Sequence, residues 1–180
     1  VKTYNIQVVF KGDKMRRSLF IILALLAFTA ATVPPGWKVY KDRKGRFEVS
    51  LPCEPMESTF DHGPEIADSL KLECKFEQYY YRVELIEYGE TPAEAVLDGI
   101  TRQIVNISLE PNEEITSATK RQSRGLPFWD YTINRKPNMG NIRKERFTAK
   151  DKLLFRISST PINSSAQDWT PFITTSLTIK

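Results

Sequence analysis

Two cysteines, one histidine and a few adjacent acids are the side chains of this 180-residue chain whose type and spacing raise a chemical question. Cys53 and Cys74 match neither a zinc-ligand spacing nor a redox Cys-x-x-Cys, so their natural chemistry is to pair with each other. The local pattern supports this. Phe47, Val49 and Leu51 alternate with a parity that reaches Cys53, and Leu70, Leu72, Cys74 and Phe76 alternate as well. The turn-like run Asp61-His62-Gly63-Pro64-Glu65 lies midway between the cysteines. Antiparallel strands around that turn would set Cys53 opposite Cys74, with both side chains on one face. Closing a loop of about 20 residues would contribute roughly 3 kcal/mol. The competing reading is two free, buried thiols.

His62 stands in that same loop beside an acid. A base or a metal ligand is conceivable there, but an exposed turn residue is the simpler reading. The acids Glu113, Glu114 and Asp151 fall near turns, and a carboxylate pair could serve a glycosidase. Nothing marks these out as such a pair. The chain has no Gly-x-Ser-x-Gly, no His-Glu-x-x-His and no phosphate-cradling glycine loop. No residue is assigned a catalytic, cofactor-binding or metal-binding role, and no cofactor is expected. Tyr79-Tyr80-Tyr81 and Phe128-Trp129-Asp130-Tyr131 put rings on both faces of their strands. Buried rings would be plain core; exposed ones would mark a binding face.

These groups are expected to work outside the cytoplasm. Met15 to Ala31 reads as a secretory signal peptide. Arg16 and Arg17 form its positive start, Leu19 to Phe28 is an unbroken apolar run, and Thr29 and Ala31 supply small residues for cleavage after Ala31. The apolar run is half the length of a membrane span, so no stable span is expected after cleavage. The residues before Met15 read as upstream sequence or a longer leading segment. Residues 1–31 are therefore set apart from the fold, and residues 32–180 are expected to form a single domain.

The formal net charge of +4 belongs wholly to residues 1–31, which hold five basic residues and one acid. The remainder is neutral, with 21 basic and 21 acidic side chains, which removes the main argument for a nucleic-acid partner. Charge within it is uneven: residues 32–118 are net −8 and residues 119–180 net +8. Either oppositely charged strands lie side by side in one sheet, or the surface is bipolar and docks a charged partner. On the second reading Arg143, Lys144 and Arg146 would be exposed contacts for an acidic partner.

The elements that must position all this read as follows. Strands are expected at Trp37–Tyr40, Arg46–Leu51, Ser69–Phe76, Tyr80–Tyr88, Ile115–Arg124, Phe128–Arg135, Ile142–Thr148 and Leu153–Ser159. One long helix is expected after Thr91-Pro92-Ala93-Glu94, capped by Thr91 and Glu94, with Ala93, Val96, Leu97, Ile100, Ile104 and Ile107 as its apolar stripe. A short C-terminal helix is expected to start at Asp168 and to bury Trp169, Phe172, Ile173 and Leu177.

Local wording resembles a family. Gly45-Arg46-Phe47-Glu48-Val49-Ser50-Leu51-Pro52 resembles the "GrFsv.lP" opening of small secreted bacterial proteins with the fold of PsbP, the extrinsic photosystem II protein. Arg124-Gly125-Leu126-Pro127-Phe128 resembles that family's next hairpin. Arg146-Phe147 with Leu153-Leu154-Phe155-Arg156-Ile157 resembles its penultimate hairpin, and Phe172 with Ser176-Leu177-Thr178-Ile179 its final helix and tail. The resemblance implies an α+β fold: an antiparallel β-sheet with a central helix and a short C-terminal helix packed on it, an α/β/α sandwich. It implies a mostly non-catalytic partner or assembly role. The Cys53/Cys74 pair is not part of the family pattern, and no photosystem-binding residue carries over.

The expected function is thus a secreted or periplasmic, non-catalytic binding or assembly-type protein whose partner is another protein of the cell envelope. The alternatives are a hydrolase with an unrecognised carboxylate site, and a small-ligand or lipid carrier with a cavity between helix and sheet.

Overall fold

The computed structural model describes residues 36–60, 63–135, 142–162 and 177–180. The expected signal peptide, His62 and the helix expected from Asp168 lie outside them. The described residues belong to one compact unit, residues 33–180.

Two antiparallel sheets pack against each other. The small sheet has the order β1-β2-β10, from Lys38–Lys41, Phe47–Leu51 and Leu177–Ile179. The large sheet has seven strands in the order β3-β4-β5-β9-β8-β7-β6. These are Met56–Ser58, Ile66–Phe76, Tyr79–Tyr88, Leu153–Pro161, Ile142–Lys150, Leu126–Arg135 and Glu113–Ser123. Leu177, expected on a helix, instead pairs with Val49 in the small sheet. The three-residue strand β3 was not anticipated; its pairing with β4 is short and its residues are exposed. The tight connection between β6 and β7 is Arg124-Gly125, both with positive φ (52° and 78°), as a two-residue hairpin turn that matches strand twist requires.

Alternation along the strands separates two cores. On one face Leu72, Cys74, Tyr81, Val83, Leu85, Phe155 and Ile157 close against Phe47, Val49 and Leu51 of the small sheet. On the other, Ile86, Trp129, Tyr131, Ile133, Phe147, Ala149 and Leu154 close against Leu97 and Val105 of helix α1, Glu94–Ile107. Each such fully buried side chain contributes roughly 1.5–3 kcal/mol. Half of the rings in the two aromatic runs are therefore core: Tyr81, Trp129 and Tyr131 are buried, while Tyr79, Tyr80 and Phe128 are half-buried.

Helix α1 differs from expectation at its start. Ala93, in extended conformation, is the N-cap and no side chain caps it, so the Thr91/Glu94 box does not form. Glu94 turns instead to Lys120, at 2.8 Å. The buried stripe is Leu97, Thr101 and Val105, with Ile100 and Ile104 beside it. Val96 and Ile107 are exposed. The polar Thr101 fits in the stripe because its hydroxyl shares a 3.0 Å hydrogen bond with the Tyr131 hydroxyl.

Cys53 and Cys74 are joined by a disulfide, Cα to Cα 6.0 Å. The route differs from the expected hairpin. Strand β2 belongs to the small sheet, so the bridge ties the end of that strand to β4 of the large sheet across the core.

A charged cleft beyond the helix

Strand register places side chains in rungs across the helix-bearing face of the large sheet. One rung, Ser69–Ile86–Leu154–Ala149, is nearly all apolar. The next is Lys71–Glu84–Arg156–Phe147–Trp129. The one after is Glu73–Arg82–Ser158–Glu145–Tyr131. A last rung begins Lys75–Tyr80–Thr160. Apolar positions thus give way to charged ones toward the end of the helix. Beyond that end lies a cleft of about 540 Å³, walled by Arg82, Arg143, Glu145, Arg156, Glu113 and Tyr80 among others.

The floor is a buried ion network. The Glu145 side chain is fully buried. Arg156 donates to it twice, Nε to Oε2 at 2.9 Å and Nη2 to Oε1 at 2.7 Å, and reaches Glu84 at 3.0 Å. The Arg143 Nε lies 3.2 Å from Glu145, close enough for charge pairing yet out of line for a hydrogen bond. Arg143 also pairs with Glu113 at 3.2 Å. Burial would push Arg156 toward losing its proton, but Glu145 and Glu84 reverse that and hold its titration above the ordinary value.

Both arginines also serve the helix. Its last turn contains no basic residue, so its terminal carbonyls need cations from elsewhere. Arg143 donates to the Ser108 carbonyl at 3.2 and 3.3 Å, and Arg156 donates to the Ser108 hydroxyl at 2.9 Å. At the open side Arg82 donates to Glu73 at 3.0 Å and stacks on the Tyr80 ring. Burial would raise the Glu73 carboxyl; the Tyr80 hydroxyl, Arg82 and Lys71 outweigh it and hold it below the usual range.

A second network sits on the opposite face, at the family-like Gly45-Arg46-Phe47. The Arg46 guanidinium meets Asp42 at 2.8 and 2.9 Å, Asp68 at 2.6 Å and Glu87 at 2.9 Å. It links the turn before β2 to β4 and β5. A third uses Asp98 of the helix, which accepts from Lys120 at 2.8 Å and from the Trp129 indole at 2.6 Å. The uneven charge of the two halves is thus taken up largely within the sheet: Glu84–Arg156, Glu87–Lys152, Asp98–Lys120 and Glu113–Arg143 all join the acidic half to the basic half.

Several expected site residues are placed differently. Glu113 and Glu114 are consecutive in β6 and so point to opposite faces; they form no carboxylate pair. Glu113 is spent on Arg143. Asp151 is an exposed turn residue between β8 and β9 with φ of 53°. Arg143 and Arg146 are not exposed docking contacts, since their side chains are only 14% and 9% exposed. Arg146 binds Asp130 at 2.5 Å, and Arg146 and Arg121 flank the Phe128 ring. Reversing these charges would break internal pairs. Among the described residues no cluster of three or more metal-ligating side chains occurs, and no helix is long and apolar enough to cross a membrane.

Sequence reasoning missed Glu145 and Arg156 as a site. The signal was present: Arg156 interrupts Leu153-Leu154-Phe155-Arg156-Ile157, and a charge inside a run buried on both faces needs a buried partner.

No family model and no curated protein sequence matches the chain. Among solved structures it is similar to the solution structure of the cyanobacterial PsbP (CyanoP) of Synechocystis sp. PCC 6803. The TM-score is 0.55 at 14% sequence identity, over 81% of this chain and 93% of that one. The likeness is one of fold: this chain has a PsbP-like fold.

Proposed function

We propose that this chain is a secreted or periplasmic, non-catalytic binding or assembly-type protein, and that its partner is another protein of the cell envelope. The observation that carries this reading is the state of the cleft. Its buried acids and bases are spent on one another and on the helix end, leaving no poised acid–base pair of the kind a hydrolase needs. Among the described residues each carboxylate whose titration is displaced is displaced downward, favouring the ionised form: Asp42, Glu48, Asp68, Glu73, Glu87 and Asp98. The cleft's charged walls also suit an apolar cargo poorly, which disfavours a lipid carrier. The PsbP-like fold and the Cys53–Cys74 disulfide agree with an extracytoplasmic binding protein.

Affinity capture of the exported protein from its own envelope fraction, with mass spectrometry, tests this reading. A specific protein partner is expected, and the captured chain should begin at or near Thr32. His62→Ala should leave both fold and capture intact. The reading fails if purified protein turns over a substrate and a single Asp or Glu substitution abolishes turnover at unchanged Tm.

A further inference from the structure

The large sheet ends in two unlike edges. Strand β3 is three residues long, too short to template another strand. Strand β6 runs for eleven residues and is exposed from Thr116 to Ser123. Among the described residues nothing pairs with its outer edge. Natural edges of this length are blunted by central charges or by bulges. Here the centre, Thr116-Ser117-Ala118-Thr119, is small and uncharged, and the bulge lies toward one end.

The charges are sorted by end. Glu110, Glu113 and Glu114 precede the uncharged centre; Lys120, Arg121 and Arg124 follow it. Laid parallel to itself, this strand sets like charge on like. Laid antiparallel, it sets the acidic end of one copy on the basic end of the other.

Register follows from the sheet. Pairing with β7 puts Glu114, Ser117, Thr119 and Arg121 on one face, and Ile115, Ala118 and Lys120 on the other, with Thr116 as the extra residue of the bulge. Residues directly opposite must share a face. Ala118 then lies opposite itself and Ser117 opposite Thr119. Past the bulge, Ile115 lies opposite Lys120 and Glu114 opposite Arg121. Without the extra Thr116, Glu114 would meet Gln122 instead. Glu114–Arg121 is the pair of opposite charge that this register brings face to face. The Arg121 side chain is 49% exposed and reachable while it holds Asp130.

We propose that β6 pairs antiparallel with β6 of a second copy of this chain, with the two-fold axis at Ala118, so that the two large sheets become one. This surface is independent of the proposed envelope partner. A single strand pair is a small interface, so the association is weak, with Kd of roughly 10 µM to 1 mM.

Sedimentation velocity over that concentration range is the first test, with a concentration-dependent dimer expected. Ala118→Cys puts two thiols on the axis, with Cα atoms about 4.5–5.5 Å apart, and should cross-link on mild oxidation; Gln122→Cys should not. Glu114→Arg or Arg121→Glu alone should weaken association roughly tenfold or more. Mixing these two single variants should restore it, because each then offers the charges the other lacks. A monomer throughout the range overturns the proposal. So does a dimer in which Ala118→Cys fails to cross-link, or one indifferent to both charge reversals.

Discussion

Under helix α1 the face of the large sheet is apolar and closed; two residues further along β8 and β9 it is charged and floors the cleft. In β9 the change runs from Leu154 to Arg156 and Ser158, and in β8 from Phe147 to Glu145. The strands do not differ in geometry between the two halves. What differs is cover: the helix lies over Tyr131 and Ile133 of β7, which stay apolar, while Arg82 of β5, Arg143 and Glu145 of β8 and Arg156 and Ser158 of β9 line the cleft. The apolar half is held by non-directional burial, where each side chain contributes through its own area. The charged half is held by directed pairs, where each group depends on its partner. Single substitutions damage both halves, but only the charged half should be repairable by a second substitution.

The largest single loss is expected at the centre of the apolar half. Phe147 is fully buried against Tyr131 and the helix. Phe147→Ala should cost about 3–5 kcal/mol by urea denaturation, with no rescue from substitutions in the cleft. Loss of the disulfide acts on the opposite face. Cys74→Ala should cost about 2–4 kcal/mol. Intact mass should show two thiols only after reduction, and alkylation of both cysteines in unreduced protein would contradict the bridge.

How much of this was legible in the sequence follows from the same contrast. Alternation placed most strands within a few residues and found Phe47, Val49, Leu51, Cys74 and Phe155 for the core. It assigns a residue to a face, but it is blind to which part of that face a helix covers. Arg156 therefore stands out only as part of a family-like phrase, and Arg82 and Glu145 do not stand out at all. Their partners come from other strands and from Ser108 at the helix end, 35 to 48 residues away from Arg143 and Arg156. The helix start was misread because Thr91 and Pro92 carry the right residue types two positions too early. The fold itself was visible in short phrases because those phrases sit at structural joints: Arg46 at its three-carboxylate hub, and Arg124-Gly125 at a tight turn.

The ionic networks also set the acid limb of stability. Burial would raise Asp42 and Glu87, but hydrogen bonds from Arg46, with Lys152 on Glu87, hold both below the ordinary range; Lys44 and Arg46 do the same for Asp68. Carboxyls depressed in the folded state stabilise it fully above their unfolded pKa, near 4. That stability is lost as pH falls through the folded values. Tm should therefore hold from neutrality to about pH 5 and fall below it. Arg46→Met should lower Tm at pH 7 and flatten that fall; an unchanged acid slope would contradict the role of the hub. At the exposed end of the scale, Lys120→Ala removes a solvent-screened contact to Glu94 and Asp98 and should barely move Tm.

The central claim is that the cleft's charges exist to hold the fold and the helix end. A double-mutant cycle on Glu145 and Arg156, read by urea denaturation, tests it most directly. Glu145→Leu leaves the buried Arg156 guanidinium with Glu84 as its only carboxylate, and Arg156→Met leaves the buried Glu145 carboxylate with Arg143 alone; each should cost about 3–5 kcal/mol. The combined variant, apolar and of similar volume, should recover most of that loss. Additive losses, or single variants as stable as the parent, would contradict the account.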